Sequence, residues 1–341
     1  MIGVITLFAF AISAGLTRVL SHPSSRLRML DHPNERSLHS VPTPRGGGVA
    51  IVSAILAMVI VQMLLHAQGP SIITWILVGA LLIAGVSFLD DRFTIVPSYR
   101  LSVHFFAGVV LIFGGLTAKS LVLPGITWAW PAGLAIVASM LLILWLVNLY
   151  NFMDGMDGFA AGMTVIGFGV MAILGWSAKE PFFTGFNLVI AGSAAGFLVF
   201  NFPPARIFMG DVGSSTLGFL VAACILWASR EGIFPVWIAI MIFSPFIVDA
   251  TVTLVRRVLR RERIWEAHKS HYYQRLVELG WGHRKTVLWE YFLMVLCGLS
   301  AIIAMQLSVR YQWVVIMTWV TVYIILMLSV RRLETRKRLK I

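Results

Sequence analysis

The sequence predicts an all-α, polytopic membrane protein with about eleven transmembrane helices. Apolar residues make up 59% of the 341 residues, charged residues make up 12%, and the mean hydropathy is +0.87. Soluble domains carry about 25% charged residues, so this composition excludes a disordered chain and argues against a soluble enzyme. Apolar runs of about 20 residues, the length that crosses a bilayer, recur along the whole chain.

The connections between these runs are too short to hold a soluble domain, and the longest spans about 256–287. We therefore predict one integral-membrane domain over residues 1–341. The first run is predicted to be a membrane helix rather than a signal peptide, because its first charged residue, Arg18, follows the apolar stretch. Pro245 is expected to kink the ninth segment. The predicted segments are 1–20, 46–66, 71–89, 101–117, 131–149, 158–176, 184–202, 213–229, 233–255, 288–308 and 311–330.

The distribution of Lys and Arg predicts the orientation. When the connections are assigned to alternate sides, one side carries 23 of the 27 basic residues. That side is predicted to be cytoplasmic, with the N-terminus outside and the C-terminus inside. Topology and attraction to anionic lipid account for the basic surplus. The basic connections lack the interleaved aromatic residues that are typical of nucleic-acid binding. The cytoplasmic connections expected to form the active site are 21–45, 90–100, 150–157, 203–212 and 256–287.

The seven Asp residues all lie on or toward this predicted cytoplasmic side. Six fall in connections or at helix ends, and Asp249 lies about two turns inside the ninth segment, where the sequence assigns it no role. Acids close to a membrane are costly, and they are usually paired, metal-bound or functional.

Two clusters contain most of these acids. Asp90 and Asp91 end the third segment, where a helix-end charge cluster is the alternative interpretation. Asn151, Asp154 and Asp157 continue a spacing of three residues that begins at Asn148, and this spacing keeps side chains on one side of a helix. A helix cap followed by a turn is the alternative, although a cap needs only one such residue.

Two further clusters are predicted to bind anions. Phe208 and Asp211 precede a Gly-Ser-Ser helix start whose free N–H groups suit a phosphate, with a simple N-cap role for Asp211 as the alternative. His268, Lys269 and His271 follow a run of arginines, a pattern that suits an anion better than zinc. An interfacial basic helix is the alternative for this last cluster.

Carboxylates and amides without thiolates are typical of a hard cation. Mg²⁺ usually takes one or two protein ligands and shares the phosphates of its substrate. The remaining positive groups would hold further phosphate. The clusters together predict phosphoryl transfer at the membrane surface, from a soluble phosphorylated donor to a lipid.

In this order the clusters resemble those of the polyprenyl-phosphate N-acetylhexosamine-1-phosphate transferases, also called the glycosyltransferase 4 family. The resemblance covers most of the chain. The loop 256–287 and the eleven-segment topology resemble the O-antigen-initiating branch, that of the undecaprenyl-phosphate GlcNAc-1-phosphate transferases, more than the peptidoglycan translocase. The loop departs from the common His-x-His-His pattern, which leaves the sugar open. The matching residues are Asp31 to Asn34, Pro44 to Gly48, Asp90 and Asp91, Asn151 to Gly158, and Phe208 to Gly213.

The resemblance implies a role for each matching residue. Asp211 would be the Mg²⁺ ligand, with Asn151 as the second and Mn²⁺ as an alternative ion. Phe208 would stack on uracil, and Asp157 and Asp154 would belong to the uridine pocket. Asp90 would lie near the lipid phosphate with Asp91 beside it, so that Asp90, Asp91 and Asp211 form the catalytic set. His268, Lys269 and His271 would contact the pyrophosphate and sugar.

The activity implied is transfer of N-acetylhexosamine 1-phosphate (GlcNAc, or a 6-deoxy sugar such as FucNAc or QuiNAc) from a UDP-sugar to undecaprenyl phosphate. UMP leaves, in the first membrane step of O-antigen, lipopolysaccharide or related envelope synthesis. The expected setting is the bacterial inner membrane, with the active site on the cytoplasmic face, membrane lipid around it, and a homodimer as an open alternative. A proton-coupled transporter is the rival class, but it would place its acids near the bilayer midplane.

Overall fold

The computed structural model of the protein describes residues 1–341 except 26–28, 34–37, 40, 66–69, 94, 263–268 and 339–341. The predicted all-α class is confirmed, since helices form the body and the strands form two small hairpins. The helices are α1 (Ile2–Ser21), α2 (Gly47–Leu65), α3 (Ile72–Phe93), α4 (Pro97–Phe113), α5 (Ala132–Met153), α6 (Phe159–Ser177), α7 (Pro181–Asn201), α8 (Asp211–Arg230), α9 (Val236–Ile242), α10 (Ser244–Leu259), α11 (Tyr272–Leu276), α12 (Gly282–Ala304) and α13 (Val309–Arg338). The strands are β1 (Met29–Asp31), β2 (Thr43–Arg45), β3 (Ser120–Leu123) and β4 (Ile126–Ala129).

Each predicted transmembrane segment coincides with a helix or a broken helix. Nine helices in the described chain are long and apolar enough to cross a membrane. The predicted ninth segment is two helices, α9 and α10, that meet at 85° around Phe243. Pro245 lies in the first turn of α10, where its missing N–H costs no hydrogen bond. The predicted fourth segment is α4, a shorter apolar helix of 17 residues.

The helices differ widely in how much of their surface the protein covers. In α8, 94% of the most apolar stretch is buried inside the protein, against 6% in α13. α8 packs against α3 and α5, and Gly218 leaves no room for a Cβ beside the backbone of α5. A buried helix must be apolar or internally bonded on every face. α8 is therefore the centre of the bundle, and its first residue is Asp211.

A short stretch of backbone pairing holds the connection before α8 against β2. Arg45 and Phe208 form a parallel bridge, and the N–H groups of Gly47 and Gly48 donate to the carbonyls of Phe208 and Met209 at 3.0 and 2.8 Å. A Cβ on Gly48 would overlap the backbone of Gly213, so this approach requires glycine. The glycine run therefore fixes Phe208 and Asp211 beside Arg45.

Candidate active site

A polar cavity of about 240 Å³ opens at the end of the bundle where α3 and α5 end and α8 begins. Five carboxylates line it, from four different parts of the chain: Asp31, Asp91, Asp154, Asp157 and Asp211. We call this space the site cavity. Acids gathered in one confined space repel one another unless positive groups or a cation balance them.

Asp211 and Asn151 meet in this cavity. The Nδ2 of Asn151 donates to Oδ1 of Asp211 at 2.9 Å and to the hydroxyl of Ser214 at 3.0 Å. This geometry directs the amide donor of Asn151 toward the start of α8. Asp211 is the first residue of α8 and makes no side-chain capping bond, because Gly210 is the N-cap. The alternative in which Asp211 is only an N-cap is therefore wrong.

Asp91 holds the start of α8. Its carboxylate accepts the N–H groups of Asp211 and Val212, each at 3.3 Å, and it is almost fully buried. The sequence offered this helix start to a phosphate, and that expectation is corrected: Asp91 takes its first two N–H groups, and those of Gly213 and Ser214 donate to the carbonyl of Gly210 at 3.1 Å. Arg45 adds a positive charge, with Nη1 3.8 Å from Oδ1 of Asp91 and Nη2 donating to the Asp91 carbonyl.

The side chain of Asp90 takes different partners from that of Asp91, and Arg100 connects it to the cavity residue Asp211. Arg100 donates to Oδ2 of Asp90 at 2.5 Å and to Oδ2 of Asp211 at 2.9 Å. Asp90 also accepts the N–H of Ile95 at 2.6 Å. Adjacent residues on a helix point about 100° apart, so the two aspartates take different partners. Arg100 connects the end of α3 to the start of α8.

Asp154 ends α5 and lies among acids. Its pKa is raised well above the usual range, first because burial removes water and then because Asp211, Asp91 and Asp157 are close. The phenol of Tyr273 donates to the carbonyl of Phe152 at 3.3 Å, just before Asp154. A carboxylate in such surroundings favours a neighbouring cation when it is ionised.

Asp157 and Phe208 line the outer part of the cavity. Asp157 lies 3.2 Å from Nδ1 of His283 and accepts the N–H of Ala205 at 3.0 Å. The partly exposed ring of Phe208 meets His39 edge-on, with 4.9 Å between ring centroids. A second opening of about 440 Å³ shares Asp157, Phe208, His39 and His283 with the site cavity. The two spaces together form a cleft with an aromatic wall.

The basic connection reaches the cavity through a residue that the sequence did not single out. His268 lies outside the described residues, and neither Lys269 nor His271 is among the described residues that line the cavity. His271 is buried, with Nδ1 3.3 Å from Asp249. Gln274, one turn further on, lines the cavity instead.

The donor set suits magnesium better than a transition metal. Among the described residues, no three His, Cys, Asp or Glu side chains gather as a metal site. Asp211 and Asn151 supply oxygen donors, and Mg²⁺ needs only one or two such ligands when phosphates complete its shell. Cys224 and Cys297 are free, buried and packed within the bundle.

Three cavity residues, His39, Gln274 and His283, escaped the sequence interpretation, and so did Arg100, which contacts the cavity residue Asp211. None belongs to a cluster with a spacing that indicates chemistry. Each becomes recognisable only through a partner on another element, such as Asp157 for His283. Arg100 carries one weak signal, since a lone arginine begins an apolar helix close to two aspartates.

An apolar groove of about 580 Å³ lies beside the site cavity, between α10, α12 and α13. Its walls are almost entirely aliphatic and aromatic, and Asp249 and Glu290 are the acids among its lining residues. α11 borders both spaces, since Tyr272 and Leu276 line the groove while Gln274 lines the cavity. The polar, acid-rich site cavity and the apolar groove therefore lie side by side.

Comparison with known proteins gives one consistent result. The sequence profile of glycosyl transferase family 4 matches residues 73–229. The chain is 30% identical over 320 residues to the probable undecaprenyl-phosphate N-acetylglucosaminyl 1-phosphate transferase of Bacillus subtilis, covering 92% of this chain and 86% of that protein. It is 30% identical over 317 residues to the decaprenyl-phosphate N-acetylglucosaminephosphotransferase of Mycobacterium leprae (84% and 78% covered). It is 31% identical over 285 residues to the phospho-N-acetylmuramoyl-pentapeptide-transferase of Heliobacterium modesticaldum (79% and 85% covered).

Proposed function

The chain belongs to glycosyl transferase family 4, and we propose that it transfers N-acetylglucosamine 1-phosphate from UDP-N-acetylglucosamine to undecaprenyl phosphate. The products are UMP and undecaprenyl-diphosphate N-acetylglucosamine. The observation that carries this proposal is the adjacency of an acid-rich cleft with an aromatic wall and an apolar groove. A water-soluble nucleotide sugar and a lipid need these two surroundings within reach of one another.

The nucleotide is assigned to the outer cleft. Phe208 offers its ring face to uracil, since every base has a π-face that stacks on an aromatic side chain. Asp157 can accept hydrogen bonds from the ribose or the base, and His283 beside it holds its carboxylate in place. Asp154 lies deeper in the same space.

The diphosphate is assigned to the inner cavity with Mg²⁺. Asp211 and Asn151 are its proposed ligands, and the donor oxygens of the cavity fit a hard cation. When bound, the ion would neutralise the diphosphate and the leaving UMP. Arg45 and Arg100 already face carboxylates there, and their guanidinium groups can bind phosphate oxygens. His268, Lys269 and His271 remain proposed contacts to the pyrophosphate and sugar.

The lipid acceptor is assigned to the apolar groove, whose walls match a polyprenyl chain. Its phosphate would meet the donor near Asp90 and Asp91, the proposed residues that orient or deprotonate it. An oxygen of the lipid phosphate attacks the sugar-bearing phosphorus, and the bond from that phosphorus to the UMP oxygen breaks. The bond between the sugar and its phosphate is untouched, so the anomeric configuration persists. Positioning and charge neutralisation account for most of such a reaction.

The biological setting follows from this reaction. We propose the first membrane step of O-antigen or a related envelope polysaccharide, on the cytoplasmic face of the bacterial inner membrane. The three relatives act, by their names, on GlcNAc or on phospho-N-acetylmuramoyl-pentapeptide, which supports GlcNAc ahead of a 6-deoxy sugar such as FucNAc or QuiNAc.

The test is release of UMP by the purified protein in detergent with undecaprenyl phosphate and MgCl₂. A panel of UDP-GlcNAc, UDP-GalNAc, UDP-FucNAc and UDP-QuiNAc identifies the donor, and EDTA should stop turnover. Activity with another UDP-HexNAc alone would correct the sugar. No UMP with any of them, in protein that is folded and monodisperse, would overturn the proposal.

A further inference from the structure

Asp249 is a buried acid that does not line the site cavity. It lies on α10, in the second turn after the 85° break, and only 8% of its surface is exposed. Its carboxylate accepts the N–H groups of Tyr272 and Tyr273 at 2.9 and 3.1 Å, and the hydroxyl of Thr253 at 3.1 Å. Nδ1 of His271 lies 3.3 Å away. Because donors of the chain surround both oxygens, this acid has little capacity left for a cation or a substrate.

Two of the donors to Asp249, the N–H groups of Tyr272 and Tyr273, belong to α11, the helix that separates the two ligand spaces. α11 presents Tyr272 and Leu276 to the apolar groove and Gln274 to the site cavity. Tyr273, fully buried between them, donates its phenol to the carbonyl of Phe152 beside the acids of α5. A shift of α11 would therefore change the walls of both spaces at once.

α11 cannot hold this position by its own stability. It has five residues, and isolated helices of fewer than about 12 residues are marginal in water. The π-helical turn that follows contains Gly280 at φ 100°, so a regular helix does not continue into α12. Side chains from other elements must fix α11. Its far end is held by Arg275, which donates twice to Glu334 of α13 at 2.6 and 2.5 Å.

We propose that Asp249 is a positioning residue that fastens α11 as the wall between the nucleotide-sugar cavity and the lipid groove. It bonds the two backbone N–H groups at the start of α11, which a helix leaves without internal partners, and so fixes Gln274 and Tyr273 against the α5 acids. Charge-assisted bonds of this kind are stronger than neutral ones. The role assigned to α11 in catalysis rests on the proposed function, whereas its attachment to Asp249 does not.

Asp249→Asn is the variant that tests the attachment. An amide offers one acceptor oxygen, and its NH₂ group would face a backbone N–H that also donates. We expect the Tyr272 and Tyr273 amides to exchange hydrogen for deuterium at least about tenfold faster than in the wild type, by mass spectrometry of peptides that cover 270–276. We expect kcat for UMP release to fall about 10- to 100-fold, as a small misplacement of site groups can do. The KM for UDP-GlcNAc should change less than about threefold, because Phe208 and Asp157 lie outside α11.

Glu290→Gln is the matched control. Glu290 is the other acid that lines the groove, and in the described part of the chain no hydrogen bond joins it to α11. Its replacement should leave exchange at 270–276 unchanged. Tyr273→Phe removes the phenol that bonds Phe152 and also contacts Gly155 and Gln274, so it should lower kcat about threefold while the amide of Tyr272 keeps its slow exchange.

The outcomes separate the two proposals. Wild-type exchange and wild-type kcat in Asp249→Asn would overturn the positioning role. If that variant does not fold, the wild type decides, since fast exchange at Tyr272 and Tyr273 in the native enzyme would equally overturn it. Absence of UMP release from the wild type would sink the transferase proposal, and the exchange measurement would still report on the attachment of α11.

Discussion

Two regions of the molecule hold acids close to the membrane in opposite ways. In the site cavity, Asp154 and Asp211 face other carboxylates, and guanidinium groups balance only part of the charge. On α10, Asp249 is surrounded by donors from its own chain. The first arrangement keeps negative charge available to a ligand, whereas the second uses it to fasten a helix. The hydrogen-bond donors around an acid in a membrane protein therefore indicate its role, whereas burial alone does not distinguish the two roles.

The largest expected effect comes from the acid at the centre of the first arrangement. Asp211→Asn keeps the shape of the side chain but removes the charge that a cation needs. We expect kcat for UMP release to fall about 10³-fold, equivalent to the several kcal/mol that a metal contributes to such a transition state. The change is measured by steady-state UMP release at saturating substrates.

The control for this variant lies at the far end of the bundle. Arg310 lies at the start of α13, about 36 Å of helix before Glu334, which contacts α11, so Arg310→Ala should leave turnover near the wild-type level. The Asp211→Asn protein should also elute and melt like the wild type. Full activity of Asp211→Asn would exclude the metal assignment, and with it the contrast between the two kinds of acid.

Phe208 tests whether the aromatic wall of the cleft binds a base. Removing the ring in Phe208→Ala should raise the KM for the UDP-sugar about 10- to 100-fold, since stacking on one aromatic side chain contributes about 1–3 kcal/mol per base. kcat should change much less, because the proposal assigns the ring to the base and not to the diphosphate. Phe208→Tyr keeps the ring and should bind like the wild type. An unchanged KM in the alanine variant would place the nucleotide elsewhere.

The sequence predicts those features of the two regions that depend on residues close together in the chain. The positions of the apolar helices follow from apolar runs, although nine and not eleven are long enough to span a membrane in the described chain. The steps of three from Asn151 to Asp157 identify side chains that line one cavity, but the prediction that they share one side of a helix was wrong, since α5 ends at Met153 and Asp154 is its C-cap. The break at Phe243 follows from Pro245, although its angle of 85° does not.

The hydrogen-bond and ion-pair partners of these residues could not be predicted from the sequence, because the partners come from connections that are far apart in the chain and meet only in the folded protein. Arg100 and His283 are ordinary basic residues until Asp211 and Asp157 are placed beside them. Asp249 was recognised as an unusual acid, but its donors are backbone groups 23 and 24 residues further along the chain, which have no signature in the side-chain pattern. The prediction of a phosphate at the start of α8 was wrong for a similar reason, since Asp91 from another helix takes the first two N–H groups of α8 and the Gly210 carbonyl takes the next two.

The smallest effect concerns the proton that competes with a cation in the cavity. Burial and the neighbouring carboxylates hold the pKa of Asp154 well above its usual range, so below that raised pKa the group is protonated in the cation-free protein. A cation at Asp211 would lower this pKa, and by linkage its binding would release a proton. The apparent affinity for Mg²⁺ should therefore weaken as the pH falls through the raised pKa, by at most about tenfold per pH unit. The measurement is the MgCl₂ concentration that gives half-maximal UMP release, taken at several pH values over about three units around neutrality, from about pH 5.5 to about pH 8.5.

Asp154→Asn has no proton to release and should show a flatter dependence. Equal slopes in the two proteins would mean that another group carries the proton, and Asp154 would then belong with Asp249 among the acids that only hold structure.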